Sequence, residues 1–208
     1  MVAVIEQANR GPAEPADETS TPVRTGRRRS EESRRAILTA AYELLDEAGY
    51  ARLTVEGIAA RAGTGKQTLY RWWPGKADVL LEALTAHARQ HIPLPDTGDH
   101  AADLHAFLAA TFAAATPPTG DALRALMAEA QIDPAFGERF RDTLLNPRRE
   151  ALGTLLARAH AADALAPQLT PATAVDLAFG LLWYRLLATR EPLDDRLAAL
   201  LTRTLLRA

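Results

Sequence analysis

The chain has 208 residues, of which 48% are hydrophobic and 24% charged, and it contains no cysteine. These are the proportions of a globular protein of one ordinary domain, or of a small module joined to a larger one. The missing cysteines exclude a disulfide scaffold, a cysteine zinc site, an iron–sulfur centre and a thiol nucleophile, and a reducing cytoplasm is the expected setting. The formal net charge is only −2, but Arg24 to Lys76 holds 11 Lys/Arg against 6 Asp/Glu, a net of +5, and the rest is net −7. A basic front and an acidic back point to a polyanion-binding module fused to something else.

Residues 1–29 are rich in Pro, Glu, Ala and Thr, lack periodicity and end in Arg27-Arg28-Arg29. Such a segment buries too little to offset its ordering entropy, so a disordered arm with a basic root is expected. Its first part has acidic residues and no apolar stretch of the kind a secretory leader needs. The longest apolar run, Ala178–Tyr184, falls far short of the roughly 20 residues that cross a bilayer, so no membrane partner is expected.

From Ser30 onward the pattern is helical. Ser30 is the expected cap of a first helix, with Glu31 and Glu32 in its first turn. Ile37, Ala40, Ala41, Leu44, Leu45 and Ala48 form one stripe, and Gly49 closes the helix. A short second helix runs from a Thr54 cap through Ile58 to Ala62, and Gly63 turns the chain. A third starts near Gly65 and stops before Pro74-Gly75. A fourth starts near Lys76 and carries Leu80, Leu84 and Ala88 to Pro93. The fifth spans about Asp99–Ala115 and the sixth about Asp121–Gln131. Pro134 opens a short piece through Phe136 and Phe140. Asn146-Pro147 reads as a cap and first turn, and so does Thr170-Pro171. A last helix follows Pro192, from about Asp194 to Arg207. With no strand pattern, the fold class is all-α with about nine helices. The expected units are a three-helix module over residues 30–76 and a larger helical domain over 77–208.

Two short helices joined by a few residues including Gly form the helix-turn-helix pattern. Leu69 and Trp73 are four apart, so they face the core together. Lys66, Gln67, Thr68, Tyr70 and Trp72 then point elsewhere. Amide and ammonium groups near the start of a short helix are what a major groove can accept.

The stretch from Ala36 to Lys76, including Leu53-Thr54-Val55-Glu56-Gly57-Ile58-Ala59 and Ala62-Gly63-Thr64-Gly65-Lys66-Gln67-Thr68-Leu69-Tyr70-Arg71-Trp72-Trp73-Pro74-Gly75-Lys76, resembles the DNA-binding domain of the TetR/AcrR family of bacterial transcriptional regulators. The resemblance implies phosphate contacts by Thr54, Tyr70 and Lys76. It implies base reading by Lys66, Gln67 and Thr68, and a place for Trp72 against the backbone or a thymine methyl. Two positions depart from the family pattern. Gly65 stands where the family usually has Ser, which costs only a few tenths of a kcal/mol of capping. Trp72 replaces a smaller or more polar residue.

The rest of the chain resembles the family only in size, helicity and helix number. The segment from Val175 to Leu187 is apolar nearly all round, so it needs cover on more than one side. A second copy is the expected cover, with Leu182, Leu186, Leu197, Leu201 and Leu205 as the dimer seam, and the family's dimerisation through its last two helices agrees. Phe107, Phe112, Met127, Phe136, Phe140, Phe179 and Trp183 are candidates for lining a small-molecule pocket. His87 and His91 have the spacing of a metal-binding pair, but packing explains them more simply, and no metal or cofactor is expected. No nucleophile–base pair or phosphate loop argues for an enzyme. The resemblance implies a cytoplasmic homodimer that binds a near-palindromic DNA operator as a repressor and is released by a small apolar or amphipathic effector. The alternative is an effector-independent activator or structural DNA-binding protein.

Overall fold

The computed structural model describes residues 23–207, and residues 1–22 of the arm expected over residues 1–29 lie outside them. The side chains of Arg27 and Arg29 also lie outside the described set. The first helix, α1, spans Val23–Ala48, so Ser30 lies inside it and is not its cap. Arginine is among the better helix formers, and the Arg28 Nε sits 3.2 Å from Glu32 Oε1 one turn on. That run therefore continues the helix instead of ending an arm. Ile37, Ala40, Ala41 and Leu45 are buried, and Gly49, at φ 74°, stops α1.

A 3-10 turn at Tyr50–Arg52 leads to α2, Val55–Arg61, whose cap Thr54 accepts the Gly57 N–H at 3.0 Å. The next turn needs Gly63, whose φ of 63° places it where a side chain is strained. Helix α3 spans Lys66–Tyr70, and a last helical bond from the Trp73 N–H to Leu69 O, 3.0 Å, carries the turn on. Helix α4 is Lys76–His91 and α5 is His100–Ala114, capped by Asp99. Helix α6 is Thr119–Ile132 and α7 is Pro134–Phe140, capped by Asp133.

Asn146 is not a cap. The chain stays helical from α7 through a π turn, Arg141–Leu145, into α8, Asn146–Ala161. Pro147 has no N–H, so the Thr143 carbonyl one turn earlier loses its ordinary α-helical donor. The wider turn accommodates this, and the buried Thr85 hydroxyl lies 3.4 Å from that carbonyl while donating to Leu81 O at 2.8 Å. Helix α9, Pro171–Tyr184, is capped by Thr170 as expected, and α10, Asp195–Leu205, is capped by Asp194. The described residues thus hold ten α-helical segments, two of them fused, and their only β pairing is a single bridge between Leu165 and Leu206.

The apolar side chains form two cores. One joins α1, α2 and α3 to α4, α6 and α7, through Ile37, Leu69, Leu80, Leu126, Phe136 and Phe140. The other joins α5, α8, α9 and α10, through Phe107, Phe112, Leu156 and Leu182. The first core therefore crosses the boundary drawn at residues 76 and 77. Arg139 Nε, 2.6 Å from Asp78 Oδ1, ties α7 to α4.

Candidate nucleic-acid interface and helical cavity

Helix α3 is held from beneath by Leu69, fully buried, and Trp73, 4% exposed. The Trp73 indole donates to Glu82 Oε2 at 2.8 Å, and Glu82 also pairs with Arg34. On the outer edge Lys66 and Gln67 are exposed, Thr68 is partly buried, and Tyr70 is half exposed. Lys66 Nζ lies 2.6 Å from Glu56 Oε1 of α2. That hydrogen bond holds the Glu56 carboxyl below its usual range and raises the Lys66 ammonium. Arg61 makes a forked bond to Glu47, 2.7 and 2.9 Å, pinning α2 on α1 and lowering the Glu47 carboxyl.

Trp72 is exposed, with the Arg34 and Arg71 guanidiniums 5.8 and 5.9 Å from its ring centre. These two arginines were not singled out from the sequence. The cue was the aromatic itself, since guanidiniums stack on indole faces. Lys76 is folded back: its Nζ donates to Leu53 O at 3.2 Å and sits 4.5 Å from the Tyr50 ring centre. Its charge thus lies beside Thr54, at the positive end of α2. Lys76 sits next to the Thr54 cap, while Lys66 pairs with Glu56 in the first turn of α2.

The cavity lies between the two cores and has a volume of about 380 Å³. Of the seven candidate pocket residues, Met127, Phe179 and Trp183 line it. Phe107, Phe112, Phe136 and Phe140 do not; they are at most 1% exposed and fill the two cores. Helical spacing placed them on apolar faces, but those faces meet other helices. The remaining wall is Leu84, Ile92, Leu123, Leu144 and Leu182 with a few polar groups, among them His87, Thr111, Arg148 and an Arg149–Asp176 pair at 2.6 Å. His87 and His91 stack on each other at 3.9 Å, and His87 stacks on Tyr42 of α1 at 4.0 Å. Among the described residues no group of three or more His, Asp or Glu side chains converges to hold a metal.

The expected dimer leucines also need correction. Leu182, Leu186, Leu197, Leu201 and Leu205 are each 7% exposed or less within one protomer. Each packs mainly on its own chain, although Leu201 and Leu205 also line an apolar groove with Leu177, Leu181 and Tyr184 between α9 and α10. The exposed apolar residues on α9 and α10 are Leu177, Tyr184 and Leu200, at 47, 60 and 52%. A stripe that is apolar all round does not say which side faces the home core.

A three-helix module with its third helix edge-on to solvent, on a larger helical body, is the layout of a helix-turn-helix DNA-binding protein. The model of the bacterial regulatory proteins, tetR family, matches residues 37–83, and that of the tetracyclin repressor-like C-terminal domain matches residues 94–205. The HTH-type transcriptional regulator YdeS of Bacillus subtilis is 36% identical over 172 residues, covering 82% of this chain and 86% of that protein. The DNA-binding transcriptional repressor TetR of Mycobacteroides abscessus is 33% identical over 172 residues, covering 80% and 88%. The crystal structure of the TetR family transcription regulator SCO0332 superposes with a TM-score of 0.73 at 34% identity, covering 82% of this chain and 94% of that one. The chain belongs to the TetR family of bacterial transcriptional regulators, which are not enzymes. No helix of its described residues is long and apolar enough to cross a membrane.

Proposed function

We propose that this chain is a cytoplasmic repressor that binds a near-palindromic operator as a homodimer and is released by a small apolar or amphipathic effector. The observation that supports the DNA half is the exposed Lys66–Gln67 edge of α3, anchored by Leu69 and Trp73. In this reading residues up to Lys76 carry the DNA contacts. Lys66, Gln67 and Thr68 meet base edges, Thr54 and Tyr70 meet phosphates, and Lys76 acts from behind through the N-terminal end of α2. Trp72, with its two flanking arginines, lies along the backbone.

The residues after Lys76 carry dimerisation and the effector. Leu177, Tyr184 and Leu200 form the apolar patch that a second copy covers. Twofold symmetry then sets two recognition helices one DNA turn apart, roughly 34–36 Å. The cavity between the cores supports the effector half. Its wall includes Leu84, His87 and Ala88 of α4, the helix that leads directly from the DNA-reading module. A coupling of about 1–3 kcal/mol between the sites would change DNA affinity by one to two orders of magnitude. Selecting bound fragments from genomic DNA tests the reading: enrichment of one inverted repeat supports it, and recovery without sequence preference sinks it.

A further inference from the structure

The cavity wall is apolar apart from a few groups, and their charges are unequal. Arg149 is matched by Asp176 at 2.6 Å. Burial, and secondarily the charge of His91, lowers the His87 imidazole below its usual value, so it is neutral at pH 7. Arg148 differs from both. Its guanidinium donates to Thr111 Oγ1 at 3.1 Å and lies 4.6 Å from the Phe107 ring centre. Among the described residues no carboxylate pairs with it. Burial alone pulls it down to about 10, which still leaves it charged at neutral pH. A guanidinium has five N–H donors, and one of them is engaged with Thr111.

A partly buried cation without a counter-charge costs folding free energy, and a neutral ligand that expelled water from around it would raise that cost. An anion would lower it through a charge-assisted, forked hydrogen bond. We infer that the cavity takes a compact amphipath with a single carboxylate head, the head bound by Arg148 and the apolar body lying against Leu123, Met127, Phe179 and Trp183. This inference rests on the effector reading above and names the ligand class for it. The volume, near the lower end of the roughly 300–1,000 Å³ usual for ligand sites, fits a medium-length alkyl chain or a fused aromatic body.

The test is calorimetric titration of the full-length protein with two apolar bodies, decyl and naphthylethyl, each carrying a carboxylate, a hydroxyl or an ammonium head. The carboxylate of at least one body should bind roughly tenfold or more tighter than its alcohol, and the ammonium weakest. In Arg148→Gln the acid and the alcohol should bind alike, with the alcohol's affinity kept near wild type as the check that the cavity is intact. Arg148→Lys should retain part of the preference. Equal wild-type affinity for acid and alcohol overturns the carboxylate assignment and leaves the effector reading standing, and so does a preference that survives Arg148→Gln. If no member of either series binds, the effector reading fails and this inference with it, while operator selection still reports on DNA binding separately.

Discussion

Lys66 shows how much one side chain's surroundings matter. Its ammonium is exposed, yet 2.6 Å from the Glu56 carboxylate, so reaching DNA means exchanging one anion for another. Replacing Lys66 or Gln67 with Ala should cut discrimination between operator and random DNA by about 1–3 kcal/mol. Glu56→Gln should instead tighten binding to all DNA, because it removes a negative charge from the face and frees the lysine; anisotropy titrations read both. The exposure of Lys66 and Gln67 was legible from the spacing of Leu69 and Trp73. Glu56 was not, because the pairing depends on how two helices cross.

His87 gives a pH prediction. Its imidazole is lowered in the fold relative to about 6.5 in an unfolded chain. The unfolded state therefore takes up the proton first as pH falls, and stability present above about 6.5 is lost below it. Glu43 and Arg35 of α1, and Arg148, Arg149 and Asp176 across the cavity, line the hollows on either side of His87. A comparison with His87→Gln isolates its share: the loss in urea midpoint from about pH 7.5 to 5.5 should be smaller in the variant.

At the scale of elements, Thr54 and Thr170 were legible as caps, whereas Asp99, Asp133 and Asp194 take that role only in the structure. Thr54, Asp99, Asp133, Thr170 and Asp194 each accept a backbone N–H from the first turn of a helix. Ser30 and Asn146 have the same chemistry but sit inside helices, because the chain before them is already helical. Cap residues mark helix starts only where the preceding backbone departs from helical angles. The buried Thr85 hydroxyl donates to Leu81 O and lies 3.4 Å from the Thr143 carbonyl in the π turn before Pro147. Thr85→Val should therefore destabilise the fold by about 1–3 kcal/mol, measured by chemical denaturation.

Over the whole molecule, the fold class and the exposed edge of α3 could be read from the sequence, but the assignment of apolar faces could not. Four phenylalanines offered as pocket residues fill the cores, and five leucines offered as a dimer seam pack within one chain. Periodicity identifies a face, and only the packing shows what covers it. The two sets of leucines should therefore behave differently. Leu177→Glu with Leu200→Glu should give a folded monomer by sedimentation with weakened operator binding. Leu182→Ala or Leu201→Ala should lower the unfolding midpoint by an amount equivalent to about 2–5 kcal/mol. The core shared by α1–α4, α6 and α7 also gives a physical reason why a ligand touching α4 would be felt at α3.

The most direct test of the account is the affinity of wild type and the Lys66→Ala, Gln67→Ala double variant for the genome-selected operator and for scrambled DNA, across a salt series. Wild type should prefer the operator strongly, with affinity falling steeply as salt rises, and the double variant should keep its thermal stability while losing most of that preference. If the double variant discriminated as well as wild type, the α3 edge would not be the reading surface.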